Sequence, residues 1–166
     1  MNPRCIVIVR HAEKPTKKKD IGLSTFGRMR AMGLSKILAK LTPITPTQIP
    51  DYIFACKATK ESNRPAFTIH PTATRFKLKI NQKFADKDVK GLVRELSKKK
   101  YRNKLILICW HHGTMPKLIK KLGFKSPYKK WPENLFDRII TLYEGFNDEA
   151  VVFNDPQRLL FTDSEN

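Results

Sequence analysis

Cysteine is scarce in this 166-residue chain, and its three copies, Cys5, Cys56 and Cys109, form no Cys-x-x-Cys pair. An odd, widely spaced set, each member beside or within an apolar run, argues against a disulfide framework and fits buried thiols in a reducing compartment. Long hydrophobic runs are also missing. The longest are of strand length, so no membrane span is expected. The N-terminal "MNPRCIVIVR" is cut by Arg10 before it can resemble a signal segment, which makes the cytoplasm the expected location. Acidic side chains are few, 15 against 33 lysines and arginines, for a formal charge of +18. Such a field favours anionic partners. The lysines are nevertheless scattered, with short runs at 17–19 and 98–100 and no separate basic tail, so a lysine-rich composition accounts for them equally well. No recognised nucleic-acid module and no basic stripe interleaved with aromatics stands out, which leaves only nonspecific attraction to nucleic acid.

What is present is ordinary globular sequence. Hydrophobic residues make up 40% of the chain and no repeat or low-complexity block interrupts it, which predicts one domain over 1–166. "CIVIVR" (5–10), "YIFAC" (52–56) and "KLILICW" (104–110) read as buried strands, and "FKLKI" (76–80) as a short one. Helical spacing of Phe26, Met29, Gly33, Leu34, Ile37, Leu38 and Leu41 predicts a helix over 24–41, capped by Ser24 or Thr25. Further helices are expected from about Lys60 to His70, over "DKDVKGLVRELSKK", and through "MPKLIKKLG", where Gly123 supplies the stop. "TPITPTQIPD" reads as a loop. "RIITLYEG" and "EAVVFN" read as two strands joined by a turn, and roughly the last ten residues are expected to fray. Strands alternating with helices predict an α/β sandwich with a mainly parallel sheet, whose ligands bind beyond the carboxyl ends of the strands.

The polar residues at those ends are not random. The first strand delivers Arg10 and His11, the second leads to "KESNR" with Arg64, and "KLILICW" delivers His111 and His112. Two guanidinium forks and up to three imidazoles on one edge suit a phosphate dianion. A neutral imidazole can also attack phosphorus, and a second, protonated one can neutralise the charge that builds on the equatorial oxygens. No metal is required. Cys109, His111 and His112 do not complete a tetrahedral ligand set.

With these elements in this order, "IVIVRHAEK", "GLSTFGRMRA", "ESNRPAFT" and "LILICWHHG" together resemble the histidine phosphatase superfamily, the phosphoglycerate mutase-like phosphatases. "WPENLFDRI" and "CWHHG" are similar to a branch that carries Arg-His-Ala-Glu-Lys-Pro. The resemblance spans most of the chain. It implies a three-layer α/β/α sandwich, phosphorylation of His11, and phosphate binding by Arg10, Arg64 and His112. His112 is chosen over His111 because it precedes Gly113, as the family histidine precedes glycine.

The chain departs from the pattern in two places. After His11 it has "AEKPTKKKD", which keeps Glu13 but lacks the family's glycine and asparagine. The family's proton donor follows the second arginine, where only Asp86 and Asp88 stand here. Glu13, Asp86 and Asp88 are thus the candidate acids. Glu13 could instead orient an arginine, and the aspartates could open a helix. The resulting expectation is a cofactor-free phosphatase acting on a phosphorylated small molecule or a phosphoprotein. The alternatives are a degenerate phosphate-binding relative and nonspecific nucleic-acid binding.

Overall fold

The computed structural model describes residues 3–17, 19–38, 49–145 and 149–164. Strand β1 (Cys5–Arg10) and strand β4 (Leu105–Trp110) are buried at every position, as two-sided apolar strands must be inside a parallel sheet. Strands β2 (Tyr52–Ala55), β3 (Ile80–Asn81), β5 (Arg138–Glu144) and β6 (Ala150–Pro156) complete one six-stranded sheet of order β3-β2-β4-β1-β5-β6. β3, β2, β4 and β1 run parallel, while β5 and β6 add antiparallel at one side. The carboxyl ends of β1, β2 and β4 therefore share an edge, and the loop entering β5 returns to that same edge.

Helices cover both faces. Helix α1 (Thr25–Ile37) and helix α2 (Arg64–Arg75) place Leu34, Ala66, Ile69 and Ala73 against Val7, Val9, Leu107 and Cys109. Helix α3 (Val89–Leu96) and helix α4 (Met115–Lys121) place Leu92, Leu96, Leu118 and Ile119 against Ile6, Ile8, Ile106 and Ile108 on the other face. Odd and even strand positions thus feed different cores, and the architecture is the expected three-layer α/β/α sandwich. No helix of the described residues is long and apolar enough to cross a membrane.

Local chemistry sets several boundaries away from their expected places. Ser24 caps α1, its hydroxyl accepting from the Gly27 N–H at 3.0 Å. The buried face of α1 is rotated from the expected stripe. Phe26 and Met29 are 61% and 55% exposed, whereas Gly27, Arg30 and Ala31 point inward. Gly27 is required there, because a β-carbon would collide with the Glu13 carbonyl oxygen. The predicted end of this helix and most of the "TPITPTQIPD" loop lie outside the described residues. Helix α2 starts at Arg64, not Lys60, because the Thr59 hydroxyl accepts from the N–H groups of Glu61 and Ser62 and holds 59–62 as a turn. It also runs on through Pro71. The strand expected over 76–80 shrinks to Ile80–Asn81, since Lys77 adopts φ 54° and the Leu78 N–H returns to the Ala73 carbonyl at 2.9 Å. Gly123 ends α4 with φ 96°. The turn expected between β5 and β6 falls partly on residues 146–148, outside those described.

The C-terminal segment, through Ser164, is packed against the rest of the fold. Gln157 is buried, and the Asp163 side chain is 2% exposed and paired at 2.6 Å with Arg30, itself 2% exposed. Arg30 also binds Glu13 at 2.6 Å and the Gln157 amide oxygen at 3.0 Å. One buried guanidinium from α1 thus ties the segment following β1 to the end of the chain.

Candidate active site

The edge formed by the ends of β1, β2 and β4 gathers the predicted cations. Arg10 is 1% exposed, and its guanidinium lies 3.8 Å from the centre of the Phe136 ring. Its Nη1 donates to the carbonyls of Pro132 (3.1 Å) and Leu135 (3.0 Å). Arg64, at the start of α2, donates from Nε to the Gly22 carbonyl (3.0 Å), from Nη2 to the Asp20 carbonyl (2.6 Å) and from Nη1 to the Ser62 hydroxyl (3.3 Å). The alternative pairing of Arg64 with Glu61 does not form. Both guanidiniums are thus oriented by neutral oxygens. Among the described residues neither is in an ion pair, so their charge remains available. Burial lowers Arg10 to about 10, against the pull of Glu13 and Glu133, which leaves it protonated at neutral pH.

His11 follows β1 and is 4% exposed. Its Nδ1 lies 2.8 Å from the Ala12 carbonyl oxygen. A carbonyl only accepts, so Nδ1 carries the proton and Nε2 keeps its lone pair. Burial pushes the imidazole down to about 3, helped by His111, Arg10 and Arg64 and opposed by the Ala12 contact. The result is a neutral ring with an available nitrogen, held in the positive field of two arginines.

The two histidines after β4 are placed differently. His111 meets the His11 ring edge-on at 5.1 Å between centroids, and His112 stands further off at 6.4 Å. Register explains this. Arg10 is level with Trp110 across the sheet, so His11 and His111 are the matching next residues of two parallel strands. His111 thus lies nearer the His11 ring than His112, the expected phosphate ligand, which sits beside it with a buried, unpartnered Nδ1. Burial lowers both. For His111 Asp86 opposes the shift, and for His112 Arg10 adds to it. Burial thus disfavours the protonated form of either imidazole in the free protein.

The three candidate acids separate clearly. Glu13 accepts from Arg30 through both oxygens, at 2.9 and 2.6 Å on Oε1 and 3.1 Å on Oε2. That two-oxygen contact with Arg30 commits it as an anchor. Asp88 caps α3, accepting from the Gly91 N–H at 2.9 Å. Asp86 alone turns to the site. The Trp110 indole N–H donates to the Thr114 hydroxyl at 2.9 Å, and that hydroxyl donates to Asp86 Oδ1. Asp86 is held within electrostatic reach of His111 by this relay.

Sequence reasoning missed Arg30, Thr114, Asp163 and the two carbonyls that aim Arg10. Only "WPENLFDRI" carried any signal for the last of these. Cys5, Cys56 and Cys109 are free thiols buried in the core, and desolvation raises all three, Cys5 to about 12. Trp110 and Trp131 are buried, and Trp131 also lines a cavity beside His112 and Gly113. Among the described residues, no group of three His, Cys, Asp or Glu side chains is arranged to hold a metal ion.

No family model matches the sequence, and no curated protein does. Solved structures do match. A phosphoserine phosphatase of Entamoeba histolytica, solved with 3-phosphoglyceric acid, is 16% identical with a TM-score of 0.58, covering 94% of this chain and 99% of that one. The protein histidine phosphatase SixA, solved with tungstate, is 10% identical with a TM-score of 0.56, covering 92% and 97%. A phosphoglycerate mutase of Plasmodium falciparum is 16% identical with a TM-score of 0.52, covering 93% and 90%. The fold is therefore that of the phosphoglycerate mutase-like histidine phosphatases, as the sequence motifs imply.

Proposed function

We propose that the chain is a phosphatase that works through a phosphohistidine. The carrying observation is a buried, neutral His11 whose Nε2 is free, within the field of two guanidiniums that form no ion pair among the described residues. A phosphate monoester dianion supplies the missing negative charge. Arg10 and Arg64 offer their remaining N–H groups to its oxygens, and His111 offers a third donor. The dianion in turn favours protonation of His111, which burial disfavours in the free protein.

In the first step His11 Nε2 forms a bond to phosphorus while the bond to the leaving oxygen breaks. A proton from Asp86 neutralises that oxygen as the alcohol departs. In the second step water attacks phosphorus, the N–P bond breaks, and the proton released by water returns to Asp86. Atoms and charge balance without a metal. Neighbours of the same fold, named as a phosphoserine phosphatase and a protein histidine phosphatase, support a phosphorylated substrate.

The test is phosphate release from p-nitrophenyl phosphate in the presence of a chelator, with rapid quench to trap acid-labile, alkali-stable phosphate on the protein. Loss of both signals in His11→Ala is expected. Unchanged turnover in that variant would remove the mechanism, and vanadate binding without turnover in the wild type would make the chain a binding relative.

A further inference from the structure

Beyond His112 and Gly113, at the same edge as the cation cluster, opens a cavity of about 570 Å³. Five lysines line it: Lys117, Lys120 and Lys121 from α4, and Lys129 and Lys130 from the segment leading toward β5. On α4 the first three stand at spacings of three and four, which brings like charges onto one face, an unfavourable arrangement. The negative end of the helix dipole accounts for cations in the last turn, Lys120 and Lys121. It does not account for Lys117 a turn earlier, nor for the pair outside the helix. Among the described residues none of the five is held in an ion pair. The lining carries one carboxylate, Glu133, and it acts electrostatically on both Arg10 and His112.

We propose that this cavity is a second anion subsite, and that the substrate is a small molecule carrying another phosphate besides the one transferred to His11. The inference rests on the phosphatase reading above and narrows its substrate. Ammonium groups are flexible point-charge donors, and several converging on one hollow suit a phosphate or pyrophosphate. The volume lies within the range of about 300–1,000 Å³ typical of small-molecule sites. Convergence from two segments onto a concave space distinguishes it from a flat basic strip suited to a protein partner. Glu133 shares the lining with the lysines and acts on Arg10, so its carboxylate disfavours an anion beside it. The two phosphates therefore keep clear of Glu133, one at His11 and the other among the lysines, with the uncharged scaffold between them.

The experiment compares fructose 1,6-bisphosphate with fructose 6-phosphate in the wild type, in Lys117→Gln/Lys120→Gln/Lys129→Gln, and in a control that removes equal charge elsewhere, Lys36→Gln/Lys79→Gln/Lys90→Gln. The wild type is expected to prefer the bisphosphate at least tenfold in kcat/KM, mostly through KM. The cavity variant should lose that preference while turnover of the monophosphate changes less than threefold, and the control should keep it. An equal preference in all three proteins, or an equal loss in cavity and control variants, overturns the subsite and leaves the phosphatase reading standing. Calorimetry with inorganic tripolyphosphate reads the cavity even where no substrate turns over. Weaker binding in the cavity variant alone supports it, and unchanged affinity overturns it. Failure of all phosphate release instead counts against the phosphatase reading.

Discussion

Asp163→Ala is expected to destabilise the protein strongly although it lies three residues from the end of the chain. Its carboxylate accepts from Arg30 Nη1 and Nη2 at 3.0 and 2.6 Å, and from the backbone N–H of Leu159 at 2.8 Å. Removing one member of a buried ion pair costs about 3–5 kcal/mol, because the partner charge stays behind without compensation. Glu13 still holds Nε and Nη2, so the lower end applies, about 3 kcal/mol. For a chain of this size each kcal/mol moves Tm by about 2–4 °C, giving a drop of roughly 6–12 °C. Urea unfolding followed by tryptophan fluorescence reads the same change as a shift in midpoint at constant slope. The pH dependence gives an independent check. Burial pulls Asp163 upward, but the Arg30 hydrogen bonds outweigh it and hold the carboxyl below its ordinary 3.8. The folded form then binds fewer protons than the unfolded one. This stabilisation is present above about pH 4 and disappears as pH falls through the folded pKa. Asp163→Asn should flatten that acid limb. A loss under about 1 kcal/mol, the value of an exposed pair, would refute the view that Arg30 is a buried hub.

Three other outcomes follow from the site and core. His111→Ala should reduce kcat/KM for an aryl phosphate more than His112→Ala, by about 10²–10³-fold if it is a transition-state donor; the reverse order would restore His112 to that role. Because His11 sits near 3 in the free protein against 6.5 for an ordinary histidine, the unfolded chain binds the extra proton between those values, and stability due to this group rises with pH across that window. Chemical denaturation from pH 3.5 to 7 should show a shallower slope in His11→Asn than in the wild type, and identical slopes would contradict the buried neutral ring. The three thiols, raised by burial, should resist a disulfide reagent in the native protein and react together only on unfolding; prompt labelling of Cys109 would contradict its place in the core.

Those predictions draw unequally on what the sequence discloses. β1 and β4 are legible because two-sided burial demands unbroken apolar runs, and the cations that follow them are legible because such sheets bind ligands at their carboxyl ends. α1 misleads, since helical spacing identifies Phe26 and Met29 as an inner face while the real one is set by Gly27 meeting Glu13 and Arg30 meeting Asp163. That last contact joins residues 133 positions apart and has no local signature. The strand expected at 76–80 fails for a local reason, the left-handed Lys77 that closes α2.

The placement of His111 and His112 around His11 is different, because strand register explains it where a motif does not. Following a glycine rule selects His112. Counting from the strands selects His111, because β1 ends at Arg10, β4 ends at Trp110, and the two residues are level in a parallel pair. Each strand then contributes its next residue to the same point in space, and in both that residue is histidine. Parallel strands leave the sheet in one direction, so equal offsets from their ends give equal depth in the site. His112, one residue further on, moves to the mouth of the lysine-lined cavity. Neighbouring histidines thus meet different surroundings, one the His11 ring and the other the lysine-lined cavity.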